Sequence, residues 1–99
     1  MKRDIRRTNA ADADLDEIFL HIAADSLGAA ERLIHRIETA EERLAEFPEL
    51  GRLRDELFAD ARSWPVGDYL IIYEILPNAI GVIRILHGAR DLGGLFSGD

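Results

Sequence analysis

The stretch RSWPVGDYLIIYEILPNAIGVIRILHGARDL, residues 62–92, decides the fold. It holds two of the densest apolar runs of the chain, residues 69–76 and 79–86. Both are rich in Ile, Val, Leu and Tyr, the side chains that suit a pleated, buried surface. Pro77-Asn78 lies between them and reads as a turn, since proline fixes φ and asparagine tolerates left-handed geometry. Residues 62–66 form a shorter run before Gly67-Asp68, a second turn signal. The stretch therefore predicts an antiparallel three-strand meander over residues 61–87, ending at His87-Gly88.

Pairing parity then assigns faces. With an even loop at Pro77-Asn78, residues whose numbers sum to 155 lie opposite each other. Tyr69, Ile71, Tyr73 and Ile75 then share a face with Ile80, Val82, Arg84 and Leu86. Leu70, Ile72 and Glu74 share the other with Gly81, Ile83, Ile85 and His87. A one-residue slip would exchange the partner set. Both faces are mainly apolar, whereas a sheet with water on one side alternates more cleanly. The second face is thus either core with scattered surface apolar residues, or a surface that a partner chain covers.

Upstream of the meander the period changes. Residues 2–8 read as a first strand, but Ile5 is its only internal apolar residue, which predicts an edge position or outward-facing charges. Thr8 or Asn9 can cap a helix. Ala11, Leu15, Ile18, Phe19 and Ile22 recur at helical spacing, and Ser26 starts a second such pattern. That pattern runs through Ala30, Leu33, Ile34, Ile37, Ala40, Leu44 and Phe47 until Pro48 stops it. The short connection predicts an antiparallel helical hairpin over residues 10–47. Residues 49–60 read as loop with a short helical turn near Leu53 and Leu57. Strand, two helices and three strands give a two-layer α+β domain over residues 1–99. The glycine-rich tail, residues 88–99, reads as irregular, with Leu95 and Phe96 docking it locally.

Composition excludes several classes. There is no cysteine, hence no disulfide framework or thiolate metal site. No stretch approaches the ~20 apolar residues of a membrane span, and no secretory signal precedes the first acidic residues; a cytoplasmic protein is expected. Net charge is −7, unevenly placed: Lys2, Arg3, Arg6 and Arg7 face Asp4 alone at the start, while the middle of the chain is acidic. An acidic middle repels phosphate backbones, so direct nucleic-acid binding is not expected. Acidic pairs such as Glu41-Glu42 and Asp55-Glu56 read as solvated charge.

The chemistry-bearing residues are few. His21, His35 and His87 belong to no set with metal-ligand spacing. No phosphate-binding glycine loop and no nucleophile elbow occurs. One polar cluster is worth weighing: Arg62, Arg84, His87 and Arg90, from strands or strand ends of one sheet. Either they converge near its margin, or Arg62 and Arg84 pair with Glu74 or Asp68.

The order strand, helical hairpin, meander resembles the RelE/ParE toxin superfamily of type II toxin–antitoxin systems, and more narrowly its ParE branch of plasmid stabilisation proteins. The matching stretches are ADADLDEIFLHIA (11–23), AAERLIHRIETAEERLAEFPELG (29–51), VGDYLIIYE (66–74) and IRILHGARDL (83–92). FPELGR and LHGARDL are the most specific. The resemblance implies a toxin that acts by binding a protein, DNA gyrase in the studied branch, with a ParD-like antitoxin as partner and no cofactor or metal. Target binding is expected at the margin of the sheet, at Arg62, His87, Arg90, Asp91 and Leu92. Antitoxin binding is expected on the second sheet face, at Leu70, Ile72, Ile83 and Ile85. RelE-like relatives instead cleave mRNA on the ribosome, using basic, His, Glu or Tyr residues; here Leu92 follows Arg90-Asp91 where a tyrosine would stand, and Lys2 is the only lysine. A domain that binds an antitoxin without a toxic target is the third alternative.

Overall fold

In a computed structural model, described over residues 2–96, the elements run β1 (Asp4–Arg7), α1 (Asn9–Ala23), α2 (Leu27–Glu46), a 3-10 turn (Pro48–Leu50), β2 (Arg52–Leu53), β3 (Arg62–Val66), β4 (Tyr69–Ile75), β5 (Ala79–His87) and α3 (Leu92–Phe96). Met1 and residues 97–99, part of the expected tail, lie outside the described residues. The sheet order is β1-β5-β4-β3-β2. The meander β3–β4–β5 is antiparallel, whereas β1 pairs with β5 in parallel, so the sheet is mixed. The charged β1 takes an edge, as its single apolar residue requires. The helices pack on one face and give the two-layer α+β architecture.

Local chemistry starts and stops each element. The Thr8 hydroxyl accepts the Ala11 N–H at 3.0 Å, and the Ser26 hydroxyl accepts the Ala29 N–H at 3.1 Å. These are the two caps that the sequence predicts. Gly67 has φ +58°, the left-handed value that lets a two-residue turn join β3 to β4. Gly51 meets a different demand. A Cβ built there would lie 2.3 Å from the Tyr73 hydroxyl oxygen. That hydroxyl accepts the Gly51 N–H at 2.9 Å and donates to the Pro48 carbonyl at 2.6 Å. The FPELG segment is therefore tied down by one buried phenol in the centre of β4. Burial raises the Tyr73 pKa above the ordinary phenol value, and the Gly51 N–H offsets part of that rise.

The expected register holds only next to the turn. Ile75↔Ile80, Glu74↔Gly81 and Tyr73↔Val82 pair as the even loop demands, but Ile72 faces Arg84 and Ile71 faces Ile85. Ile83 is the extra residue of a β-bulge. Beyond it every side chain of β5 changes face. Ile85 joins the core under the helices with Ile71, Tyr73, Ile80, Val82, Ile37 and Leu44. Leu86 goes to the opposite face with Ile72.

That opposite face is covered by the chain itself. Leu57 and Ala61 from the loop before β3, and Leu92 from α3, close over Ile72 and Leu86, with Phe58, Leu70 and Phe96 packed against them. Phe58 and Phe96 meet at 5.4 Å between ring centroids. A partner chain is not needed there. The segments read as loop and irregular tail supply the apolar cover, the tail by a short helix that brings Leu92 and Phe96 to one side. Phe47, placed by periodicity on the buried stripe of α2, is instead 49% exposed, and the Arg43 guanidinium lies over its ring.

Candidate functional site

The end of β5 and the middle of α1 form a cleft of about 240 Å³. Asp14, Glu17, Ile18 and His21 line it from α1; Tyr69, Ile85, His87 and Arg90 line it from the sheet. The helical spacing 14, 17, 18, 21 puts one face of α1 over the end of β5. His87 stands with its ring edge-on to Tyr69, 5.4 Å between centroids. The Ala89 N–H donates to His87 Nδ1 at 3.1 Å. The neutral imidazole then carries its proton on Nε2. Gly88 donates its N–H to the Asp68 carbonyl at 2.8 Å, and a Cβ there would sit 3.3 Å from that oxygen. The chain thus turns tightly after His87 and presents His87 and Arg90, both exposed, at the rim.

Asp14 anchors the cleft from below and is 6% exposed. Its carboxylate accepts from Arg84 Nε at 2.8 Å, Arg84 Nη2 at 2.9 Å and the Ile85 N–H at 2.9 Å. The hydrogen bond to Asp14 raises the Arg84 pKa further, against desolvation. The bulge at Ile83 makes this possible, because it re-aims the strand edge just where β1 has turned away into α1. A second such pair lies lower down: Arg7 donates from Nε to buried Glu41 at 2.8 Å. The side-chain hydrogen bond to Glu41 holds the Arg7 pKa up. Glu41 is therefore not solvated charge as its neighbourhood suggested. Both carboxylates carried a signal, since each occupies a stripe position of its helix that an apolar residue would fill.

The predicted cluster does not converge. Arg62 sits at the far end of the sheet, opposite Tyr73, and donates to the carbonyls of Glu49 and Gly51 at 3.1 and 2.8 Å. Arg84 is held by Asp14, and neither arginine takes the expected Glu74 or Asp68. Only His87 and Arg90 come together. Asp91 does not ion-pair with Arg90 among the described residues; its carboxylate faces the Gly94 N–H at 3.4 Å, at the start of α3. Leu92 is buried in the second core rather than displayed. Of the residues expected to face an antitoxin, Ile72 and Ile85 are fully buried, in different cores on opposite faces, and the bulge is the reason. Leu70 and Ile83 are half-buried. Sequence reasoning missed His21 and Glu17, which only the packing of α1 against β5 brings beside His87. No group of three or more His, Cys, Asp or Glu among the described residues could hold a metal ion, and none of their helices is long and apolar enough to cross a membrane.

Known proteins resemble this chain in sequence and in fold. Toxin ParE3 of Caulobacter vibrioides is 31% identical over 87 residues, which cover 87% of this chain and 87% of that protein. Toxin RelE2 of the same organism is 37% identical over 78 residues, covering 79% and 86%. Among solved structures, a chain of the chromosomal ParDE TA system from P. aeruginosa superposes with a TM-score of 0.73 at 19% identity, covering 87% of this chain and 96% of that one. One from the toxin-antitoxin complex RelBE2 of Mycobacterium tuberculosis gives 0.64 at 23% identity, covering 88% and 99%. The model of the family described as ParE toxin of type II toxin-antitoxin system, parDE, matches residues 5–92, from the first strand to the start of α3. Helical hairpin, mixed sheet and the segment ending in LHGARDL all fall within that match, and the chain belongs to the ParE toxin family of type II toxin–antitoxin systems.

Proposed function

We propose that this toxin acts in the cytoplasm by binding a protein target, DNA gyrase, without catalysing a reaction, and that a ParD-like antitoxin neutralises it. The observation that supports this reading is the dispersal of the cations. RNA cleavage needs positioned proton donors and acceptors, and clustered positive charge on the phosphorane. Arg84 is held by Asp14 and Arg62 by two carbonyls at the opposite end of the sheet. Among the described residues, Arg90 alone remains as an available arginine in the cleft, beside the carboxylates of Asp14 and Glu17. A rim of His87 and Arg90 on a tight turn suits recognition of a protein surface, where exposed, rigidly placed polar groups set specificity.

A second reading draws on one observation. The cleft brings His21, His87 and Glu17 near Tyr69 and Arg90, groups that could move protons in a RelE-like ribosome-dependent cleavage of mRNA. One double variant separates the two. His87→Ala with Arg90→Ala removes two exposed side chains and leaves both cores intact. It is expected to fold, to keep antitoxin binding and to lose growth inhibition, with cellular mRNA turnover the same for wild type and variant. Wild-type mRNA cleavage that the variant abolishes would make His87 a proton-transfer residue and favour the ribonuclease. A well-folded double variant that remains fully toxic would move the site away from β5.

A further inference from the structure

The outer side of α2 and the end of β3 enclose a second, open groove of about 510 Å³. His35, Arg36 and Arg43 stand on one wall, Trp64 and Pro65 on the other, and Val66 is buried beneath. Among the described residues no carboxylate lines it, although the chain carries a net charge of −7. Arg36 and His35 are exposed and make no ion pair or side-chain hydrogen bond among the described residues; Arg43 only lies over the Phe47 ring. Two arginines without carboxylate partners thus stand beside a half-buried tryptophan.

We propose that this groove docks an acidic segment of a protein partner, which sets an apolar side chain on Trp64 and carboxylates on Arg36 and Arg43. Charge complementarity selects the occupant. Arginine binds carboxylates through paired, charge-assisted hydrogen bonds, and a tryptophan face offers large contact area at low entropic cost. A long phosphodiester is the weaker fit, because its charge continues past the two arginines over a chain of net charge −7, whereas a short acidic segment can end there. Strand addition is weaker too: β2 pairs only with Arg62 and Ser63, leaving Trp64 and Pro65 at an edge where proline offers no N–H. The occupant is therefore recognised through its side chains. The identity of the partner as the antitoxin rests on the function proposed above; the chemical preference of the groove does not.

Trp64 is the only tryptophan of the chain, so its fluorescence reports on the groove. The purified protein is titrated with a short glutamate-rich peptide bearing a central phenylalanine, with its lysine-for-glutamate counterpart, and with oligothymidylate. A saturable change is expected with the acidic peptide alone, weakening as salt is raised. Arg36→Glu with Arg43→Glu should weaken it by at least about tenfold, with an unchanged thermal melt. If that pair does not fold, Arg36→Gln with Arg43→Gln takes its place. Absence of a saturable response to the acidic peptide, or an equal response in the folded charge variant, overturns the proposal. A response to oligothymidylate alone assigns the groove to nucleic acid and overturns it as well. In cells, the charge variant should remain toxic but escape the cognate antitoxin. If it is neutralised like wild type, the groove assignment falls and the toxin reading stands. If the wild type itself inhibits no growth, the toxin reading falls and the titration alone decides the groove.

Discussion

Asp14→Ala removes the acceptor that holds the end of β5 to α1. Two losses set the cost. The Ile85 N–H, now buried without an acceptor, costs about 1–3 kcal/mol. The ion pair adds less than a fully buried one, because the Arg84 side chain is 26% exposed and can turn to water; about 0–1 kcal/mol is appropriate for a partly solvated pair. The two add to about 1–4 kcal/mol, with a centre of about 2.5 kcal/mol. For a domain of this size that lowers Tm by roughly 10–20 °C, at about 4–8 °C per kcal/mol. Asp14→Asn keeps an amide oxygen for the Ile85 N–H and gives up only the charge and one arginine contact, so it should cost about 1 kcal/mol. Arg84→Ala alone leaves a buried carboxylate with one donor; in combination with Asp14→Ala the losses should be less than additive. Urea unfolding followed by circular dichroism measures all four. An Asp14→Ala variant within about 0.5 kcal/mol of wild type, the scatter of ordinary surface changes, would show that this carboxylate does not anchor β5. Equal losses for Ala and Asn would show that the ion pair with Arg84, and not the hydrogen bond from the Ile85 N–H, dominates the cost.

Four further outcomes are expected. Tyr73→Phe should cost about 1–3 kcal/mol, since the Gly51 N–H loses its acceptor, read by the same unfolding curves. The pKa of Tyr73 is raised by burial, so its contribution is fully present below about pH 10 and is lost as pH rises through the folded value. Tyr73→Phe should therefore flatten the alkaline limb of a stability–pH profile. Ile37→Ala and Leu44→Ala, at fully buried positions, should each cost about 2–5 kcal/mol, and Leu33→Ala, only partly buried, less; near-neutral melts at all three would contradict the packing of α2. Leu92→Ala should also destabilise, by about 2–5 kcal/mol, and raise binding of a hydrophobic dye by uncovering Ile72 and Leu86; an unchanged melt would mean that α3 is not the cover of the second face.

The strands of the meander, the two caps and the helical stripe were legible because each rests on local chemistry: β-branched runs, a hydroxyl before an apolar period, a proline stop. The faces of β5 were half legible. Parity from the Pro77-Asn78 turn holds through Tyr73↔Val82, and then Ile83 inserts one residue that no composition rule marks. That single bulge moves Ile85 into the main core and Leu86 out of it, so residues that strict alternation would place on one face are divided between two cores. The cover of the second face was illegible for another reason. Leu57, Phe58, Leu92 and Phe96 lie in segments too short or too glycine-rich to show a period, yet a few well-placed apolar groups suffice to close a small sheet. At the site, His87 and Arg90 were visible as polar groups at a strand end. His21 and Glu17 were not, because only the crossing of α1 over β5 joins residues so far apart in sequence.

The most direct test of the mode of action is a single side-by-side assay of the purified toxin: supercoiling by DNA gyrase in one reaction, and ribosome-bound mRNA in the other. Dose-dependent loss of supercoiling is expected, reversed by the antitoxin and absent in the His87→Ala, Arg90→Ala variant, with the mRNA left whole. Site-specific mRNA cleavage on the ribosome while gyrase runs at full rate would instead make the toxin a ribonuclease.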